Sequence, residues 1–155
     1  MLIGDTTSED KELEISAIHL LHRAGQCAGD VFGQKVKFAG LTPRQFTILK
    51  TVAKYEGLNQ TDLVDRTGVD RSTLADIVRR MLNKGLISRK RMTNDARAYA
   101  VYVTDKGRAI LNEAMPAAAD ADKKILSALP AEQREIFLDT LSQIVETIHS
   151  ARIHH

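Results

Sequence analysis

Leu63-Val64-Asp65-Arg66-Thr67-Gly68-Val69-Asp70-Arg71-Ser72-Thr73 reads as the end of one short helix, a tight turn and the start of a second helix. Gly68 stops the first helix, and Asp70 offers a side-chain acceptor suited to capping the next. Beyond the cap, Leu74, Ile77, Val78, Met81 and Leu82 recur at three- and four-residue steps up to Gly85. That spacing builds an amphipathic helix with one apolar side. Its opposite side carries Ser72, Asp76, Arg79 and Asn83, flanked by Thr73 and Arg80. Upstream, Asn59 is placed to cap the short helix over residues 60–66, with Leu63 and Val64 pointing inward.

Two short β-prone stretches follow. Leu86-Ile87-Ser88-Arg89-Lys90-Arg91 and Tyr99-Ala100-Val101-Tyr102-Val103 flank the polar Met92-Thr93-Asn94-Asp95-Ala96-Arg97. This predicts a hairpin whose link is longer than the commonest two-residue turns. Short helix, turn, helix with a polar outer side and basic hairpin compose a winged helix-turn-helix. On periodicity alone, a generic helical bundle is the alternative. Charge gathers in the same place: residues 66–97 hold nine Lys or Arg against three Asp, net +6, while the rest of a chain of net charge +2 carries −4. A cationic segment in an otherwise slightly acidic chain is the footprint of a polyanion-binding surface, with a solvated helix face as the other reading.

Outward from this unit the chain reads as helical. From residue 8 to about residue 38 there is no Pro, and Leu13, Ala17, Leu20, Leu21, Ala24, Ala28, Val31 and Phe32 mark one long amphipathic helix. Thr42-Pro43-Arg44-Gln45 combines an N-cap, a Pro at the first helical position and a Gln that closes a capping box. The helix it opens runs to about Tyr55, with Phe46, Leu49, Val52 and Ala53 inward. Thr104 or Asp105 opens a fifth helix to about Leu129, with Ile110, Leu111, Ala114, Ile125 and Leu126 as candidate buried positions and a kink expected near Pro116. Pro130 begins the last helix, striped by Ile136, Phe137, Leu141, Ile144, Val145 and Ile148. These terminal helices carry more apolar surface than a winged unit of about 60 residues can cover, so pairing with a second chain is the simplest way to bury it. The expected fold is mainly α with a small β-hairpin wing. Within one continuous domain, residues 41–104 form the winged unit and residues 1–40 and 105–155 a helical dimerisation region.

The composition bounds the function. With 155 residues, 43% hydrophobic and 27% charged, a single Cys and no Trp, the chain matches an ordinary globular domain. A chain of this length buries roughly 70% of its unfolded surface, so its core needs neither disulfide nor structural metal. The acidic start (Asp5, Glu9, Asp10, Glu12, Glu14) is unlike a signal peptide, and no run approaches the roughly 20 apolar residues of a bilayer span. A cytoplasmic protein without a membrane partner is expected. No Gly-rich phosphate loop, nucleophile elbow or H-E-x-x-H pattern occurs, so neither an enzyme nor a bound cofactor is expected. A winged helix used only for protein contacts is the rival class, and it predicts no salt-dependent affinity for DNA.

Three stretches narrow the reading: residues 63–73 as quoted, Leu82-Asn83-Lys84-Gly85-Leu86-Ile87, and Asp95-Ala96-Arg97-Ala98 with Val101-Tyr102-Val103-Thr104-Asp105-Lys106-Gly107. Together they closely resemble the MarR family of bacterial transcriptional regulators. The Asp-x-Arg pattern followed by an alternating strand and Thr-x-x-Gly is the most specific part. The resemblance spans almost the whole chain. It implies a triangular homodimer in which the N-terminal and the two C-terminal helices interlock, each winged unit reading one half of a pseudo-palindromic operator.

Residue roles follow from the two arguments together. A helix fits the major groove, where Arg71, Ser72 and Thr73 could meet base edges and Asp76 could accept from cytosine. Alternatively, Asp76 only orients Arg79 or Arg80. Arg79, Arg80 and Lys84 suit phosphates, which position without reading sequence. Arg97 matches the family's minor-groove arginine and Asp95 the acid that holds it, and an Arg at a hairpin tip suits a narrow minor groove. Arg89, Lys90 and Arg91 add sequence-independent affinity, and Asn59, Gln60 and Thr61 could offer backbone amides to a phosphate.

The family resemblance also implies a repressor released by a small aromatic acid or phenol bound where the dimer helices meet the winged unit. His19, His22 and Gln26 lie close to one line of the first helix beside Arg23 and could hold a carboxylate or phenolate. A solvated polar face or hydrogen bonds across the dimer are the alternative. The chain also looks somewhat like regulators that answer to aryl-CoA thioesters, whose phosphates Lys35 and Lys37 could serve. A redox- or metal-responsive regulator of the same fold is a further alternative. Against it, Cys27 is read as a structural thiol in an apolar setting of Ala24, Ala28 and Val31. His19 and His22, an i, i+3 pair, and His149 have no nearby Cys or acidic partner at ligand spacing, so no metal is expected.

Overall fold

The computed structural model describes residues 15–94 and 98–153. Among them, six α-helices and one hairpin follow in the order α1 (Ala17–Lys35), α2 (Pro43–Lys54), α3 (Gln60–Thr67), α4 (Arg71–Asn83), β1 (Ile87–Arg91), β2 (Tyr99–Val103), α5 (Asp105–Leu126) and α6 (Ala131–Ile153). A single 3-10 turn, Lys37–Ala39, links α1 to α2.

Local chemistry sets most of these bounds. Thr42 and Gln45 form the expected capping box on α2: Gln45 N–H donates to Thr42 Oγ1 and Thr42 N–H to Gln45 Oε1, both at 3.2 Å. Asn59 and Asp62 form a second box on α3, with Asp62 in the place more often held by Glu or Gln. Asp70 caps α4 by accepting from Thr73 N–H at 3.0 Å, and Gly68, at φ 70°, ends α3 in the left-handed conformation. Thr104, rather than Asp105, caps α5 through Gly107 N–H at 3.0 Å.

β1 and β2 pair antiparallel in the register Ile87↔Val103, Arg89↔Val101 and Arg91↔Tyr99. The outer edge of β2 is also occupied. Gly57 N–H donates to Val101 O at 3.0 Å and Val101 N–H to Leu58 O at 2.8 Å, so the loop after α2 adds a short third rung to the wing.

The core is centred in the winged unit, where Ile48, Leu49, Val52, Leu63, Leu74, Val78, Met81 and Val101 are buried. Phe32, Val36, Leu111, Ala114 and Ala118 extend it and join α1 and α5 to that unit. Truncating one such side chain, Leu74→Ala for example, costs about 3 kcal/mol.

Several expectations shift. Leu13 lies outside the described residues, and the first described helix starts at Ala17, capped by Ser16 through His19 N–H at 3.3 Å. Ile48 takes the inward place assigned to Phe46, which sits half-buried at the edge of α2 facing Phe32 at 5.6 Å between ring centroids. On α5 the buried line runs through Leu111, Ala114, Ala118 and Ala121, while Ile125 and Leu126 are only partly covered. The helix runs without interruption through Pro116. Asn112, whose carbonyl loses its donor there, is exposed, so water can replace the missing N–H. Cys27 is exposed rather than in an apolar setting, because it follows Leu20 and Ala24 on a line of α1 that this chain leaves uncovered. No described helix is long and apolar enough to cross a membrane.

Candidate nucleic-acid interface and ligand cavity

α4 buries Leu74, Ile77, Val78 and Met81 and turns Arg71, Ser72, Arg79, Arg80 and Asn83 outward. Its first turn is tied to the cap. Ser72 Oγ donates to Asp70 Oδ2 at 2.8 Å, and hydrogen bonds from Thr73 and Ser72 lower the Asp70 carboxyl to about 2 from 3.8. Arg71 folds back toward α3, where its guanidinium donates to Thr61 Oγ1 at 3.4 Å.

One turn further, Asp76 accepts from Arg79 at 2.6 Å and from Arg80 at 2.9 Å. The hydrogen bond from Arg79 is the main cause of a carboxyl pKa below the usual value, with both guanidinium charges adding to it. Asp76 thus holds both arginines in the free chain. Each of its two oxygens accepts one of these hydrogen bonds and keeps a further acceptor site.

The wing carries cations on rings. Arg89 lies 4.6 Å and Arg91 5.8 Å from the centre of the Tyr99 ring, and Lys90 on the other face lies 5.3 Å from that of Tyr102. A hydrogen bond from Arg91, followed by its charge and that of Arg89, lowers the Tyr99 phenol pKa. Neither tyrosine is evident as a partner from sequence, since the pairing needs the strand register. Asp95 and Arg97 lie outside the described residues.

Between α3, the start of α4 and the wing lies a cleft of about 400 Å³, lined by Asn59, Gln60, Thr61, Arg71, Arg89 and Tyr99 over an apolar floor. A neighbouring cleft of about 470 Å³ between α4 and β1 is lined by Gln60, Arg79, Asn83 and Arg89. The structure therefore gathers Asn59, Gln60, Thr61, Arg71, Arg79 and Arg89 on one face.

A separate cavity of about 330 Å³ lies where α1, α2 and α5 meet. Gly25, Gly29 and Phe32 of α1, Phe46 and Thr47 of α2, and Asp122 of α5 shape it. A Cβ added at Gly25 or Gly29 would meet nothing within 4 Å, so two absent side chains on successive turns help to open it. None of His19, His22, Arg23, Gln26, Lys35 and Lys37 lines it within this chain. His22, Arg23, Gln26, Lys35 and Lys37 are exposed and His19 is half-exposed. The cavity is marked mainly by glycines and rings, not by the polar groups of α1. Among the described residues no three of His, Cys, Asp and Glu gather as a metal-ligating group, His19, His22 and His149 included.

A third space, about 690 Å³, is a broad apolar groove between α1, α5 and α6, with Leu20, Leu21, Ile125, Phe137, Leu141 and Ile144 on its walls. Beside it Ile136, Val145 and Ile148 of α6 are 57–65% exposed, a density of uncovered apolar side chains uncommon on a lone chain.

Comparison with known proteins agrees with this architecture. Residues 41–99 match the model described as "MarR family". The transcriptional regulator HosA of Escherichia coli O127:H6 is 30% identical over 107 residues, covering 69% of this chain and 79% of HosA. Bordetella bronchiseptica BpsR, whose structure addresses regulation of DNA binding by 6-hydroxynicotinic acid, superposes with a TM-score of 0.80 at 25% identity, covering 85% of this chain and 94% of BpsR. The transcriptional repressor CouR, solved bound to a 23-mer DNA duplex, superposes with a TM-score of 0.79 at 29% identity, covering 86% of this chain and 95% of CouR.

Proposed function

Because this chain belongs to the MarR family of DNA-binding transcriptional regulators, and is not an enzyme, we propose that it is a ligand-released repressor. It binds a pseudo-palindromic operator as a homodimer and leaves the DNA when a small aromatic acid, phenol or aryl-CoA thioester is bound. The observation that carries this reading is the 330 Å³ cavity at the seam between α1 and α5 and the first helix of the winged unit, α2. Phe32 and Phe46 supply ring surfaces. The volume suits one aromatic ring, so of an aryl-CoA thioester only the aryl end would enter. BpsR and CouR, respectively, lend a precedent for an aromatic acid that regulates DNA binding and for repression.

The dimer closes through the uncovered stripes of α1 and α6, which bring residues 1–40 and 105–155 of two chains together. Each winged unit, residues 41–104, then presents α4 to a major groove, and the two half-sites lie about one helical turn, roughly 34 Å, apart. Ser72, Thr73 and Asp76 face base edges. Arg79, Arg80, Lys90 and Arg91 meet phosphates, and Arg97, steadied by Asp95, enters the minor groove. A ligand wedged between α2 and the α1–α5 pair favours a different angle of winged unit to dimer body. It releases DNA to the extent that it binds that arrangement more tightly than the DNA-bound one.

A gel shift on the DNA just upstream of the protein's own gene, with and without a panel of phenolic acids and their CoA thioesters, tests this. A shift relieved by one compound is expected. A shift that no compound, oxidant or metal relieves overturns the release mechanism, and no shift at low salt overturns the operator reading.

A further inference from the structure

The sugar-phosphate ridge separating two grooves must pass between a helix seated in the major groove and a wing seated in the neighbouring minor groove. The cleft of about 400 Å³ between the start of α4 and the wing is the concavity at that place. We infer that this cleft is a seat for a single backbone phosphate, held by Arg71 and Arg89 and closed by the hydroxyl of Tyr99. The inference rests on the DNA-binding reading above. It moves Arg71 from base recognition to phosphate binding, and it brings in a tyrosine that the sequence reading left without a role.

Three observations converge. First, two guanidiniums line one small concavity in which, among the described residues, no carboxylate takes part. On the same face Arg79 and Arg80 share Asp76, and beside it Glu56 holds Arg108 at 2.9 Å, whereas no described carboxylate lines this cleft. Like charges converging without a counterion favour an anion between them. Second, Arg71, exposed on the outer side of α4, leans toward α3 and donates to Thr61 Oγ1. A side chain in that position borders the cleft instead of extending along the helix axis into a groove. Third, the Arg89 guanidinium rests on the Tyr99 ring at 4.6 Å, which orients it at little entropic cost and leaves its N–H groups for an acceptor. Val78, Ala98 and Val101 floor the cleft, and the guanidiniums on its walls can make charge-assisted hydrogen bonds to an anion.

A phosphate seat reads no sequence, and this separates it from a base-reading site. The test measures binding of the full chain to two duplexes of equal length, the DNA upstream of its gene and a random sequence, across a potassium chloride series. Arg71→Gln is expected to weaken both duplexes by the same factor, about tenfold for a lost charge-assisted contact, and to reduce the salt slope by about 1. Arg71→Lys restores most of the slope. Tyr99→Phe keeps the ring under Arg89 and loses only the hydroxyl contact, whereas Tyr99→Leu also frees Arg89. Tyr99→Leu is therefore expected to weaken both duplexes more than Tyr99→Phe does. Unchanged thermal midpoints confirm that the variants fold. If Arg71→Gln weakens only the upstream duplex, Arg71 reads a base and the seat is wrong. If Tyr99→Leu, folded, binds both duplexes like the parent chain, the seat is equally wrong. Failure of the parent chain to bind either duplex at low salt overturns the DNA-binding reading itself, and the seat with it.

Discussion

Gly107 packs directly on the backbone of Leu86: a Cβ built on Gly107 would fall on the Leu86 carbonyl oxygen, 2.9 Å from its carbonyl carbon and 3.1 Å from Val103 Cγ2. The root of the wing is thereby pressed against the first turn of α5. Thr104 reinforces the junction, since its N–H donates to Leu86 O at 3.1 Å and its hydroxyl to Gly85 O at 2.6 Å. The Thr-x-x-Gly spacing thus has a physical reason: Thr104 caps the helix and pins the wing, and Gly107 lets the two backbones touch.

Gly107→Ala tests that contact. The clashing atoms are backbone and cannot swing aside, so the substitution is expected to destabilise the chain by about 3 kcal/mol, at the upper end of overpacking costs. Any helix-propensity gain of Ala over Gly, about 1 kcal/mol, is too small to offset it. Urea unfolding of the two proteins measures the difference. A variant as stable as the parent would show that the junction opens freely.

The Asp70 cap has a definite pH signature. Its carboxyl is held at about 2 in the folded chain by Thr73 and Ser72, below its ordinary 3.8. A lowered folded-state value means that the ionised cap contributes stability above the unfolded value and loses it as pH falls from 3.8 toward 2. Asp70→Ala is therefore expected to melt at a lower temperature than the parent at neutral pH, with the gap closing through that acid window. Thermal melts at stepped pH provide the check, and a pH-independent gap would assign the cap's effect to something other than its charge.

What was legible in the sequence was local. Thr42 with Gln45, Asn59 and Asp70 act within three residues of themselves, so the starts of α2, α3 and α4 follow from spacing alone, whereas spacing narrows that of α5 only to Thr104 or Asp105. The rung between Leu58 and Val101 depends on residues 43 apart, and the stacking of Arg89 on Tyr99 depends on the hairpin register. Neither has a local signature. The cavity between α1, α2 and α5 is the clearest case. It joins Gly25 and Gly29 to Asp122 across most of the chain and is shaped as much by absent side chains as by present ones. The polar groups of α1, His19, His22 and Arg23, lie off its lining.

Asp76 competes with phosphates for Arg79 and Arg80, so Asp76→Asn, which removes that carboxylate, is expected to bind random duplex more tightly than the parent. Selectivity for the upstream duplex over the random one falls accordingly. Parallel titrations on the two duplexes decide it, and unchanged random-duplex affinity would mean that the Asp76 pairs already open without cost in the parent.

Gly29 offers a way to close the proposed ligand cavity. A Cβ added here meets nothing within 4 Å, and the helix interior gains about 0.5–1 kcal/mol from replacing Gly. Gly29→Leu is expected to bind the upstream duplex like the parent while needing at least about tenfold more of any releasing compound, a loss of about 1.4 kcal/mol in ligand binding. Equal sensitivity to the compound would place its site outside this cavity.

The apolar stripe of α6 makes the last case. Ile136 and Val145 are each 65% exposed in the single chain, so neither contributes much to the chain's own core. Charging both, Ile136→Asp with Val145→Asp, should leave the winged unit folded but place unpaired carboxylates in any interface that covers the stripe, where burying a charge without a partner is costly. Sedimentation is expected to show a monomer whose helical circular dichroism is retained. Its affinity for the upstream duplex should fall far more than its affinity for a single half-site, because two linked winged units act at a high effective concentration and one alone does not. A double variant that still sediments as a dimer would show that the two chains meet elsewhere than on this face of α6.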